Sequence, residues 1–166
     1  MYNKYPIHLL IRYSDNLYKI NDVSEEHNNV ISLYGSVWFG KVGKTLGLPH
    51  IEKIKKQITK SEPSYLLLVQ RVGKKYSTYR GRINDLSRSF PKASENLIPS
   101  YYFSKGLIDN INLWINISEL LLMEGDYLRN FRVISSIMTI EETLSSSMAA
   151  LFIIKELNKS QLLDNS

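Results

Sequence analysis

The stretch Ser64-Tyr65-Leu66-Leu67-Leu68-Val69-Gln70-Arg71 constrains the fold of this chain more than any other. A short apolar run without alternation is a strand buried on both faces, so it belongs in the middle of a sheet covered on two sides. A second strand is predicted over residues 76–84, and the intervening Val72-Gly73-Lys74-Lys75 supplies the turn that makes the pair a hairpin. Gly81, between Arg80 and Arg82, marks a bulge or a place where another chain approaches the backbone closely.

Around this hairpin the chain reads as mixed α and β. Residues 7–13 are short, apolar and partly β-branched, which predicts a buried first strand. The polar stretch 15–29 predicts a loop with a short helix, and 30–39 a second extended segment ending at Gly40. In 48–58, Pro49 sits near a helix start and Ile51, Ile54 and Ile58 share one face, the pattern of an amphipathic helix with a basic outer side. Residues 86–104 hold two prolines, little periodicity and the cluster Tyr101-Tyr102-Phe103, and read as a long connection of the kind that often carries function. The stretch 113–122 opens with strand alternation, and 129–135 is another short strand. Thr139-Ile140-Glu141-Glu142 is a capping box for a last helix that gives way to a closing strand at 151–154. With 166 residues, 43% of them hydrophobic, one domain over 1–157 can build a core without staples, and 158–166 is expected to fray.

The chain has no cysteine, which excludes disulfide scaffolds, thiol nucleophiles and cysteine-rich zinc sites and fits a reducing compartment, with cytoplasm the expectation. No window is apolar and long enough for a signal peptide or a membrane span. The net charge of +5 is unevenly spread: residues 41–92 carry thirteen Lys and Arg against Glu52, Glu62 and Asp85, so this segment holds +10 and the remainder −5. Such polarity is the electrostatic footprint of a polyanion partner, or else a set of solvated lysines. The positive segment begins inside Tyr34-Gly35-Ser36-Val37-Trp38-Phe39-Gly40-Lys41-Val42-Gly43-Lys44, where aromatic residues that can stack on bases lead into cations that attract phosphate. Trp38 and Phe39 either form that surface or fill a core.

Catalytic patterns do not compete with this. Gly40-Lys41-Val42-Gly43-Lys44-Thr45 looks like the end of a phosphate-binding loop, but only Lys41 and Val42 separate its glycines, and Trp38 stands where glycine is required. His8, His27 and His50 lack the spacing of metal ligands on one helix face. Glu25-Glu26 and Glu141-Glu142 are adjacent pairs that point apart, as helix-start acids do. Ser145-Ser146-Ser147 has no histidine or glycine elbow nearby. No cofactor is called for, and a non-enzymatic binding protein is the expectation.

The order of elements, with Ser36-Val37-Trp38-Phe39-Gly40-Lys41, a Tyr-Leu-Leu-Leu-Val strand, Tyr79-Arg80-Gly81-Arg82-Ile83 and a late Leu113-Trp114-Ile115-Asn116-Ile117 strand, resembles the PUA-like superfamily, in particular its EVE and YTH branches. It is also similar to the amino-terminal specificity domains of modification-dependent restriction systems of the McrBC type. The resemblance spans about 7–154 and implies an α+β fold in which a small, strongly curved barrel is flanked by helices. It further implies a reader of modified bases. Trp38 would form one wall of an aromatic cage, with Ser36 and Phe39 beside it and Tyr101, Tyr102 or Phe103 as the second wall. The second cage tryptophan of the YTH pattern is missing here, and Trp114 is assigned to the core. Phosphates would be held by Lys41, Lys44, Lys74, Lys75, Arg80 and Arg82, with the helix lysines Lys53, Lys55 and Lys56 read as a solvated face. The partner implied is nucleic acid, DNA favoured over RNA, with a motor NTPase and a nuclease alongside, and an RNA-binding module is the alternative within the same fold. A protein-docking role for the aromatic patch is the alternative of another class.

Overall fold

The structure, a computed structural model, describes residues 5–158 and 160–162. Its strands are β1 (His8–Arg12), β2 (Val37–Val42), β3 (Tyr65–Val72), β4 (Lys75–Ser87), β5 (Ile111–Ile117), β6 (Leu121–Leu122), β7 (Phe131–Val133) and β8 (Leu151–Glu156). The helices are α1 (Val23–Tyr34), α2 (Leu48–Thr59), α3 (Tyr101–Ser104) and α4 (Ile140–Ser146). The strands form one sheet in the order β2-β5-β4-β3-β1-β8-β7, with β6 on the side of β4. The hairpin expected from the apolar run is β3 and β4, and β3 lies centrally, parallel to β1 on its other edge.

Both faces of β3 and β1 are covered, which is why neither alternates in sequence. Leu9, Ile11, Leu66 and Leu68 enter one core together with Val37, Phe39, Trp114 and the inner sides of α1 and α2. Leu10, Leu67 and Val69 point the other way, into a smaller core closed by Leu128, Phe131, Ile140, Leu144 and Ile154. Two side chains lock these layers. The Gln57 amide accepts from the Ile7 N–H at 2.8 Å and donates to the carbonyls of Ile7 and Pro63, tying α2 to the start of β1. Arg12 on β1 donates to the carbonyls of Leu144 and Ser147, placing a cation on the open carbonyl end of α4. The amino end of that helix carries the expected capping box between Thr139 and Glu142.

The long β4 joins two halves of the sheet. Its residues up to Arg82 pair with β3, those from Ile83 onward pair with β5, and the register shifts between Ile83 and Asp85. This bend curls the sheet, but the two end strands β2 and β7 do not pair among the described residues. Where a closed barrel would have its seam, Thr45, Leu46 and Gly47 face Val133, Ile134 and Phe152 across a cleft of about 390 Å³. The expected curved barrel is therefore a curled sheet with an open seam.

Two boundaries differ from the sequence reading. Residues 30–34 are the last turns of α1, not the start of an extended segment. β-branched Val30 and Ile31 favour a strand, but the Asp22 side chain accepts from the Glu25 N–H and Gly35 at φ 86° closes the other end, and this pair of caps extends the helix through them. The late apolar stretch divides into β5 and the short β6, which turns back onto Tyr79 and Arg80. The tail 158–166 lies in part outside the described residues; within it, the Gln161 N–H donates to the Asn158 side chain at 2.9 Å.

Gly81 is a close approach within the chain: a Cβ there would stand 2.8 Å from the backbone oxygen of Glu119 and 3.0 Å from Ile117 Cδ1. A backbone atom cannot swing aside. Gly81→Ala is expected to destabilise the fold by about 1–3 kcal/mol, although Gly→Ala at an unobstructed site stabilises; urea unfolding of the two proteins measures this.

Candidate nucleic-acid interface

β2 is an edge strand, and an exposed edge leaves backbone donors and acceptors unpaired. Here they are satisfied by side chains. The Gly40 N–H donates to the Tyr102 hydroxyl at 2.9 Å, and the Gly40 carbonyl accepts from the Tyr18 hydroxyl at 2.8 Å. His27 on α1 completes the chain of bonds. Its Nδ1 lies 2.7 Å from the Val23 carbonyl, which can only accept, so Nδ1 carries the ring proton; Nε2, at 2.9 Å, then accepts from the Tyr102 hydroxyl, which donates its own hydrogen. The rings of Tyr18, His27 and Phe39 pack with Tyr101 and Tyr102, the last two stacked at 4.4 Å. Sequence reasoning missed Tyr18 and His27, because their roles depend on partners 22 to 75 residues away.

The expected pocket residues separate into two groups. Phe39 and Tyr102 have no exposed surface and Tyr101 is 4% exposed, all within the aromatic core. Trp38 is 6% exposed and belongs to the same buried cluster, so it fills core as well as alternating with Phe39 along the pleat; it shares the Gly40 side of β2 with Trp114 and Asn116 across the ladder. Trp114 is 1% exposed, in the core as expected. Phe90 stands edge-on to Trp114 at 5.8 Å and to Phe103 at 6.2 Å, so Phe103, 47% exposed, forms the outer rim of this side. Ser36 is half-buried just before β2.

Trp38 is covered by the connection 88–97. Its indole N–H donates to Ser94 Oγ at 2.9 Å. Ser94 breaks the 3-10 turn Lys92–Leu97 with φ −134° and ψ 43°, and none of that turn's residues is buried. The segment is anchored on the core by Phe90 and Leu97, but its middle, which bonds Trp38, is held by little burial and also carries exposed Arg88 and Lys92. Ser94 and Phe90 are further residues that sequence did not mark; the two prolines of 86–104 were the only signal.

The expected phosphate-binding residues fall in three places. Lys41 and Lys44 lie at the end of β2; the Lys41 amine folds back to donate to the Val42 carbonyl at 3.0 Å, and burial together with Lys44 lowers its pKa. Lys74 and Lys75 are exposed at the tip of the β3–β4 hairpin. That tip and Ser87, beside Trp114, are the two ends of β4, about 40 Å apart along the bent strand. Arg80 and Arg82 occupy the middle, on one face. Arg80 lies 4.6 Å over the Tyr65 ring, with Tyr127 at its other side and a 3.4 Å bond to the Tyr127 hydroxyl. It is a partly enclosed cation, whereas Arg82 is exposed.

A family model described as Pua-like matches residues 9–161, nearly the whole chain, and the chain belongs to this family. Domains of this kind are generally non-catalytic binding domains, and the membership gives the chain a possible role in binding RNA or other nucleic acid. Searches of curated proteins and of solved structures find no match. Among the described residues no helix is long and apolar enough to cross a membrane, and no three or more His, Asp and Glu are grouped so as to hold a metal ion.

The buried imidazoles give a pH dependence. Burial lowers both His8 and His27 from 6.5 to about 4. Above pH 6.5 both folded and unfolded chains hold these rings neutral; as pH falls from 6.5 to 4 the unfolded chain takes up two protons that the folded one refuses. Stability is therefore complete above 6.5 and lost on the way down to 4, by about 3 kcal/mol per residue. Urea midpoints between pH 7.5 and 4 are expected to fall steadily below 6.5, and a level profile would contradict the buried neutral state.

Proposed function

We propose that this chain is a non-catalytic reader of nucleic acid that stacks a modified base on Trp38. The observation that carries this reading is the pairing of a nearly buried indole with a loosely held cover, Ser94 being the partner of its N–H. A base that displaces the cover gains the face of Trp38, and the in-plane indole N–H, released from Ser94, is free to donate to a neighbouring group of the strand rather than to the stacked base. Extruding a base from a duplex costs a few kcal/mol, and stacking returns about 1–3 kcal/mol. Phosphate contacts supply the remainder. Arg88 and Lys92 on the cover and Lys44 beyond the end of β2 are the candidates beside the indole, Lys41 being 4% exposed with its amine on the Val42 carbonyl, while Arg80, Arg82, Lys74 and Lys75 extend the basic surface along β4. Ser36 and Phe103 frame the entrance, and Phe39, Tyr101 and Tyr102 support it from within.

The resemblance to McrBC-type specificity domains favours DNA over RNA. It also favours a targeting role in a restriction or defence system, with a motor NTPase and a nuclease as partners. Anisotropy titrations with DNA and RNA oligonucleotides, unmodified or carrying methylated cytosine or methylated adenine, test this directly. A preferred modified DNA strand, with affinity falling steeply as salt rises, is the expected result; preference for RNA would assign the same site to RNA, and salt-insensitive or absent binding would overturn the reading. Trp38→Phe is expected to lower the preference for the modified base about tenfold. Ser94→Ala removes one bond holding the cover, worth about 1 kcal/mol, and is expected to tighten binding about fivefold; weakened binding would make Ser94 a ligand contact instead of a latch.

A further inference from the structure

A second cationic surface lies apart from Trp38, at the end of the molecule where β1 and β3 begin. Lys53, Lys56 and Lys60 project from one side of α2, at the i, i+3, i+7 spacing that places them together. With Tyr5, Pro6 and Glu62 they line a groove of about 490 Å³. Lys55, on the neighbouring side of α2, pairs with Asp85 at 3.6 Å, but among the described residues no carboxylate comes within ion-pair distance of the other three lysines. Clustered like charges on one helix face weaken the helix slightly, so folding gives no reason for this arrangement. The tyrosine gives a second observation: its ring lies in the groove, with the Lys155 ammonium 4.9 Å above it.

The groove does not end there. Pro6 and Glu62 also line the adjoining cleft of about 330 Å³, which continues over His8, Tyr65 and Glu156. Tyr65 stacks on His8 at 5.4 Å, carries Arg80 on its ring and pairs across the ladder with exposed Arg82. The result is one band in which cations and aromatic rings alternate: Lys53, Lys56 and Lys60, then Tyr5 under Lys155, then Tyr65 under Arg80 with Arg82 beside it on the ladder. Glu62 and Glu156 lie between the cationic ends, where carboxylates can accept from the amino groups of bases.

We infer that this band holds the sugar-phosphate backbone of a single strand of nucleic acid, its phosphates on the two cationic ends and a base against Tyr5. Alternating cations and stacking platforms are the chemistry of sequence-tolerant strand binding. The inference rests on the reading of the chain as a nucleic-acid binder but not on the Trp38 site. Lys56, exposed, and Lys53, partly exposed, are thereby assigned a contact that the sequence reading left to solvent, and exposed Lys60 joins them.

The test is anisotropy titration of labelled oligo-dU and oligo-U, which differ only in the sugar, with the unmodified protein, Lys56→Ala/Lys60→Ala and Tyr5→Ala, with thermal melts as a check on folding. The double variant is expected to melt as the parent does, to bind at least tenfold more weakly at low salt, and to show a slope of log affinity against log salt smaller by about 1.4, the loss of two phosphate contacts on a single strand. Tyr5→Ala is expected to lose about tenfold in affinity with its slope unchanged. The stronger of the two oligonucleotides identifies the sugar. If the parent binds and the double variant keeps both affinity and slope, the band is overturned while the nucleic-acid reading stands. If the parent binds neither these nor any modified strand, that reading fails and the band fails with it.

Discussion

The arrangement depends on how the edge of β2 is closed. Gly40 presents an N–H and a carbonyl outside the ladder, and two tyrosine hydroxyls take them, one from the loop before α1 and one from α3. His27 then ties the second hydroxyl to α1. One residue's backbone thus collects four segments that are distant in sequence. The glycine is needed for a separate reason: a Cβ at Gly40 would lie 2.9 Å from both Ile111 and Trp114. Leaving a buried N–H unsatisfied costs about 1–3 kcal/mol, so each hydroxyl in this network holds position as well as satisfying a donor or acceptor.

Closing the edge in this way has consequences for the opposite side of the strand. With Phe39 packed against Tyr18 and His27, pleating turns Trp38 to the other side of the strand, toward the connection after β4. That connection leaves the sheet at Ser87, passes Phe90 over Trp114, and bonds Trp38 through Ser94. A rigid strand and a lightly held cover meet at one indole. The rigid part sets where a base would stack, and the light part sets what must move to admit it.

Much of the architecture was legible because it rests on local pattern. The unbroken apolar run of β3, the Ile51-Ile54-Ile58 stripe of α2 and the Thr139 capping box each carry their own signal, and each forms the expected element. The second half of α1 was not legible, since Val30 and Ile31 have strand propensity and only the caps at both ends extend the helix. The site was legible in part. Trp38 and the tyrosines of 101–102 stand out by type, but which of them faces the core and which faces the cover is decided by pleat and by pairs 22 to 75 residues apart. The basic segment was visible as a sum of charge, while its division among the end of β2, the hairpin tip, the middle of β4 and the groove along α2 follows from the bend at Asn84 and from Gln57 anchoring α2 to β1.

Hydrogen exchange along the chain, with and without a bound oligonucleotide, tests the central claim most directly. In the free protein the Gly40 amide is expected to exchange only on global unfolding, while amides of 88–97 exchange many orders of magnitude faster. Addition of the oligonucleotide that binds best is expected to change protection in 88–97 and around 36–38 and to leave Gly40 as slow as before. Slow exchange throughout 88–97 in the free protein, or ligand-induced changes that spare that segment, would contradict a cover over Trp38 and with it the account given of this site.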